Sequence, residues 1–125
     1  MSHAVLWEKS GATLTLSGEA TLRAREAALH AVCSDRRFDD IRFVIVDYLN
    51  VTEYEIHGGA IEEMAALQIG AFRTNPKVII ASVATQPAVI DAVEKMIVYQ
   101  FISAPQAIFQ DIDGARNWIA ELLPK

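Results

Sequence analysis

The sequence predicts an α/β protein on a mixed, mostly parallel sheet, with elements in the order ββαβαβαβα. Three observations carry that expectation. The run Phe43–Val46 is apolar without alternation, as expected of a strand covered on both faces, and Lys77–Val83 reads as the next buried strand. Longer segments between the runs repeat apolar residues at spacings of three and four, the signature of amphipathic helices. Strands that alternate with helices pair in parallel through crossovers, and an opening hairpin makes the sheet mixed.

Val5-Leu6-Trp7 is strand-like and is followed by the turn signal Lys9-Ser10-Gly11. Ala12–Ser17 then alternates leucine with threonine at period two, and Gly18 is expected to end it. From Thr21 to about Asp35 the residues are good helix formers without Gly or Pro. Ala24, Ala27, Ala28 and Ala31 form a small-residue face there, with Leu22, Leu29 and Val32 beside it. Arg36–Asp40 reads as a polar connection.

Ile41–Tyr48 is the strongest strand, and its polar end Asp47-Tyr48-Leu49-Asn50 is expected at the carboxyl edge of the sheet. A helix follows from Glu55 or His57 to Thr74, with Ile61, Met64, Ala65 and Phe72 inward and Glu62 and Glu63 in water. Pro76 stops it. After the strand at 77–83, Pro87 sits in the first turn of a third helix whose apolar face is Val89, Ile90, Val93, Ile97 and Phe101. A short strand at Ala107-Ile108-Phe109 leads to a last helix capped by Asp111 or Asp113, docking through Ala115, Trp118, Ile119 and Leu122.

A chain of 125 residues with 52% apolar and 22% charged side chains suits a single globular domain spanning 1–125. The apolar share leaves surface for a partner protein or a homodimer mate. A net charge of −5 argues against nucleic acid, whose phosphate backbone selects a basic footprint. The local pairs Arg23/Arg25 and Arg36/Arg37 read as solvated helix edges. Cys33 is the one cysteine, which excludes an intrachain disulfide. The start of the chain lacks the pattern of a signal peptide, and no apolar run approaches the ~20 residues of a membrane helix, so a cytoplasmic location without stable membrane insertion is expected.

Chemistry-bearing motifs are sparse. Gly58-Gly59 at a helix start stands without the remaining glycines of a phosphate-binding loop. His3, His30 and His57 are scattered, and His30 with Cys33 gives two of the three or four ligands zinc needs, so neither metal nor cofactor is expected. Cys33 lies mid-helix among alanines, where a thiol is packing material. Glu53, Glu55, Glu62 and Glu63 gather near a helix start, where acidic groups complement the helix dipole. What remains is a place: ligands of open α/β sheets gather at the carboxyl ends of parallel strands. Asp47, Tyr48 and Asn50, then Thr85, and the segment Thr52–Gly59 with Thr52, Glu55, His57, Gly58 and Gly59 mark that place here.

The element order, the strand FVIVDYLNVT, the loop into a glycine-containing helix start and the closing IFQDIDGARNWI resemble the SpoIIAA-like proteins. These are relatives of the anti-sigma-factor-antagonist (STAS) domains, some called STAS/SEC14-like. The likeness covers nearly the whole chain. It implies a non-enzymatic regulatory module that binds another protein. STAS switch proteins carry an acidic residue, two hydroxyls and a glycine at a helix entry, where phosphorylation adds roughly −2 charge and ends binding. Here Glu55 and Gly58 match, while Ile56 and His57 replace the hydroxyls. The SEC14-like label implies instead a small apolar or anionic, lipid-like ligand, held at the strand ends by Asp47, Tyr48, Thr85 and the His57 helix start. A third alternative is an enzyme with His57 as general base, oriented by Asp47 or Glu55.

Overall fold

The computed structural model describes residues 2–56, 58–100 and 105–123, with Tyr99 and Gln100 described by their backbone. Its elements are β1 (Ser2–Glu8), β2 (Gly11–Ala20), α1 (Leu22–Cys33), β3 (Phe43–Tyr54), α2 (Gly59–Ala71), β4 (Ile79–Val83), α3 (Pro87–Gln100), β5 (Gln106–Phe109) and α4 (Ile112–Leu122). The five strands form one sheet in the order β1-β2-β3-β4-β5. The β1–β2 hairpin is antiparallel, and the other three pairings are parallel. The expected order and mixed sheet are both present.

Because each parallel step moves to the next strand in the same direction, crossovers of one hand leave their helices on one face. Helices α1, α2 and α3 accordingly share a core with Leu14, Leu16, Val44, Val46 and Ile80. Helix α4 follows the last strand and packs on the other face, against Ile45, Ile79, Ala81 and Val83. Alternate residues of β3 therefore enter opposite cores, which is why Val44, Ile45 and Val46 are all buried. On the α4 side the β1–β2 end of the sheet has no helix over it. Leu6, opposite Thr13, is 63% exposed there.

Several local expectations hold. The Thr21 hydroxyl caps α1 by accepting from Ala24 N at 3.2 Å, and Asp111 caps α4 by accepting from Gly114 N at 2.6 Å. Pro87 opens α3, and the inward stripe of α2 is Ile61, Met64 and Ala65, with Phe72 just beyond it. Phe101, expected on the apolar face of α3, lies outside the described residues.

Four expectations need correction. Gly18 does not end β2: at φ 84 it passes through a register irregularity and the strand continues to Ala20. Of the four alanines of α1 only Ala28 is buried, and Arg25 lies buried beside it instead of on a solvated edge. Arg36–Asp40 is a 3₁₀ turn that drives Phe38 into the core, 5.4 Å from the Phe72 ring. Leu122 is 40% exposed, and Leu123 packs in its place because α4 ends at Leu122 and the chain turns there.

Two polar contacts tie these layers together. The buried Asn75 amide donates to the carbonyls of Phe38 (2.8 Å) and Ile41 (2.7 Å), joining the end of α2 to the entrance of β3. Arg116 of α4 grips Glu8 of β1 through two 2.9 Å bonds, spanning the sheet from its far helix to its edge. Among the described residues no helix is long and apolar enough to cross a membrane.

Asn75→Ala orphans two buried carbonyls. It is expected to cost about 2–4 kcal/mol, read as a lower urea midpoint at unchanged slope. Arg116's hydrogen bonds, opposed by partial burial, hold the Glu8 carboxyl below its ordinary 4.5. A depressed carboxylate stabilises the fold above that value and loses the contribution as pH falls through its folded value. Arg116→Ala is therefore expected to cost less than about 1 kcal/mol at neutral pH, the pair being part-exposed. Wild type and variant should converge in acid titrations of stability.

Candidate functional site

The carboxyl end of β3 is displaced from where the sequence suggested. The β2–β3 ladder runs to Ala20↔Tyr54 through two irregularities, between Thr15 and Ser17 and between Gly18 and Glu19. Each inserts one extra β3 residue: Thr15 pairs Asp47 but Ser17 pairs Asn50, and Gly18 pairs Val51 but Glu19 pairs Glu53. Such bulges break the period of two. The inward residues of β3 and its exit are Val46, Tyr48, Val51, Tyr54 and Ile56, at spacings of two, three, three and two.

The expected site residues consequently divide. Tyr48 is 3% exposed and faces the core under α1, away from the surface. Asp47 is half-buried at the first bulge, where its Oδ1 accepts from Leu49 N at 2.8 Å and satisfies a backbone amide. Thr52, Glu55, Gly58, Gly59 and Thr85 are exposed around the true end of β3 and the entry of α2. His57 lies outside the described residues. Gln86 Nε2 donates to Val51 O at 2.7 Å, fastening the start of α3 to this edge.

The helix entry has its own constraint. Gly58 adopts φ 53 and ψ −127, a conformation costly for any residue with a Cβ, and it caps α2 without a side-chain bond. Ile56, standing where the switch proteins carry a hydroxyl, is fully buried and anchors the loop. Carboxylate oxygens of Glu19, Glu53 and Glu55 lie within 4.8 Å of one another, making this edge acidic. The pairing Glu19↔Glu53 puts two of them side by side on adjacent strands. This edge offers exposed backbone, a hydroxyl and carboxylates, which suits recognition of another molecule's polar surface.

A cavity of about 670 Å³ lies elsewhere, in the groove between α1 and α2, where Ala27, Cys33, Leu67 and Ala71 make the floor and Arg23 and His30 the rim. Burial pushes the Cys33 thiol up to about 12, against a smaller pull from Arg25. His30 is exposed and Cys33 half-buried. Both residues line this groove.

Sequence reasoning missed the buried polar residues Arg25, Gln68 and Asn75, while Ser82 lies in the strand expected to be buried. Arg25 had a signal: it stands three residues after Leu22 and four before Leu29, on the apolar stripe of its helix. Its Nε donates to the Tyr48 hydroxyl at 3.4 Å, and its Cζ lies 6.0 Å from that ring's centroid. Tyr54 stands edge-on to Tyr48 at 6.1 Å, with its own hydroxyl buried and unpartnered.

A five-stranded sheet led by one antiparallel strand, with three helices on one face and one on the other, is the SpoIIAA-like fold. Among solved structures, an anti-sigma factor antagonist from Mycobacterium paratuberculosis matches with a TM-score of 0.61 at 15% identity, over 94% of this chain and 92% of that one. The anti-sigma factor antagonist SpoIIAA in its unphosphorylated form matches at 0.53 and 11% identity, over 98% and 100%. An uncharacterised Shewanella loihica protein with a SpoIIAA-like fold matches at 0.53 and 11%, over 94% and 91%. No protein-family model and no curated protein matches the sequence. The likeness thus lies in the backbone arrangement.

With the Cys33 thiol at about 12 against an ordinary 9.0, its thiolate is scarce at neutral pH. Even after the higher nucleophilicity of a basic thiolate is allowed for, an aromatic disulfide reagent should react about thirtyfold or more slowly with the folded protein than with the urea-unfolded chain. Equal rates would show an accessible thiol.

Proposed function

We propose that the protein is a non-enzymatic regulatory module that binds another protein through the edge formed by Thr52, Glu53, Glu55, the Gly58-Gly59 entry of α2 and Thr85. The observation that carries the reading is the exposure of this edge in a fold shared with two anti-sigma factor antagonists. Two features support it. The edge is fastened from beneath by Ile56 and Gln86, so it is presented without an ordering cost on binding. Its Glu19, Glu53 and Glu55 carboxylates favour a partner face carrying Lys or Arg.

Control by phosphorylation at the family's position is not part of this proposal, since Ile56 and His57 replace the hydroxyls. Self-association remains part of it: Leu6 and Val98 leave large apolar side chains exposed. A second reading, binding of a small apolar ligand, is favoured by the α1–α2 groove, whose volume of about 670 Å³ falls in the range of ligand pockets. On that reading the ligand lies between helices and not at the strand ends.

The test compares proteins retained from a host lysate by the immobilised wild type, by Thr52→Arg/Glu53→Lys, and by Glu121→Lys on the remote face of α4. A protein held by the first and third, and lost at least about tenfold in the second, is the expected result. Retention indifferent to the double substitution sinks the interaction edge. Native mass spectrometry showing a co-purified small molecule, lost on Leu67→Glu, would favour the groove reading.

A further inference from the structure

The α1 helix puts a guanidinium into the core without a counter-charge. Arg25 is 2% exposed, and its Nη1 has no hydrogen-bond partner among the described residues. Among the described residues no carboxylate forms an ion pair with it; the ion pairs present are Asp35–Arg37, Asp91–Lys95 and Glu8–Arg116. An ionised group buried alone costs several kcal/mol even after relaxation. Arginine cannot escape that cost by losing its proton.

Arg25 lines a small, partly open cavity whose other polar walls are Tyr48, Gln68, Ser82 and Gln106. All four are neutral, and each carries an O–H or N–H that can donate. Among the described residues no acidic one lines the cavity. The Tyr48 hydroxyl already accepts from Arg25 Nε, so its own proton is free to point onward. Nor does the adjacent Tyr54 furnish a negative charge: burial foremost, then the neighbouring Tyr48, pushes its phenol above the ordinary 10.0. The volume is about 10 Å³, room for one water-sized species and too little for a sulfate or phosphate. A water there would satisfy the orphaned N–H and leave the charge uncompensated.

We propose that this cavity is a structural site for one monovalent anion of halide size, held by the Arg25 guanidinium and the donors of Tyr48, Ser82 and Gln106. The site joins α1 to β3, β4 and β5 and is independent of the partner-binding edge. The anion binds the folded chain alone, so its concentration sets part of the stability.

The test is thermal unfolding of the full chain in sodium chloride or bromide against sodium gluconate at the same ionic strength, gluconate being too large for the cavity. The expected result is a Tm higher by about 4 °C or more in halide, saturating with concentration. The increment should disappear in Arg25→Met and shrink in Ser82→Ala, which retains the guanidinium and loses one donor. Crystals grown in bromide should show an anomalous peak within hydrogen-bonding distance of Arg25 Nη1, a readout on the wild type that does not depend on either variant folding. Equal Tm in halide and gluconate, an increment that persists in a folded Arg25→Met, or water alone beside Nη1 would overturn the proposal.

Discussion

The pairing of β2 with β3 is the constraint on which the rest of this molecule depends. It is the longest ladder in the sheet, running from Gly11↔Phe43 to Ala20↔Tyr54, and it holds two extra residues on the β3 side. Each extra residue resets which side chains face inward. Without the bulges, strict alternation from Val46 would turn Val51 to the opposite face. With them, Tyr48, Val51 and Tyr54 are all buried against the three-helix side. The same extension carries the chain past the end of β4 before α2 begins. Thr52 and Glu53 are exposed on an ordered edge because β3 is long and still paired with β2 there.

The core beneath that ladder combines two materials. The α4 side is apolar, with Ile45, Ile79, Ala81 and Val83 against Ala115 and Ile119. The α1–α3 side buries polar groups among its hydrophobes: Arg25, Gln68, Asn75 and Ser82. Asn75 is fully explained, since its amide serves two carbonyls that no ladder reaches. Arg25 is different in kind, because one of its nitrogens and the nearby Tyr54 hydroxyl are buried without partners. Buried polar groups in native folds are almost always satisfied. Such orphans are therefore places where something besides the chain completes the structure.

Surface ion pairs play a smaller part. Arg37 chelates Asp35 and pulls its carboxyl down to about 2, while its guanidinium stacks 4.5 Å from the Trp7 ring centroid. That stacking covers part of the β1–β2 hairpin from the 3₁₀ turn, and an exposed pair of this kind adds little to stability. The Arg116–Glu8 clamp is more telling for architecture, because it links residues 108 positions apart in the sequence. It closes α4 over the sheet toward the one strand that runs against the others.

The sequence by itself determined the architecture. The unbroken apolar run at Phe43–Val46 specified a strand buried on both sides, and the mostly apolar Lys77–Val83 specified the next buried strand. Spacings of three and four specified the helices, and Thr21, Pro87 and Asp111 marked where three of them start. Those signals are local and periodic, so they survive reading one residue after another. The tertiary structure decided what depends on pairing. Two bulges changed the inward spacing of β3 from two to three, hiding its second half from any search for alternation, while Tyr48 lies in the core because it follows Val46 by two in a strand that runs on past it. Arg25 read as a solvated charge because burial of a guanidinium depends on neighbours, Tyr48 and Ser82 among them, that come from distant strands. Of the candidate site, Thr52, Glu55, Gly58, Gly59 and Thr85 were legible as an exposed edge, because turns and helix entries declare themselves locally. The groove between α1 and α2 was not, since a cavity is made by two surfaces that fail to meet, and neither surface carries that information alone.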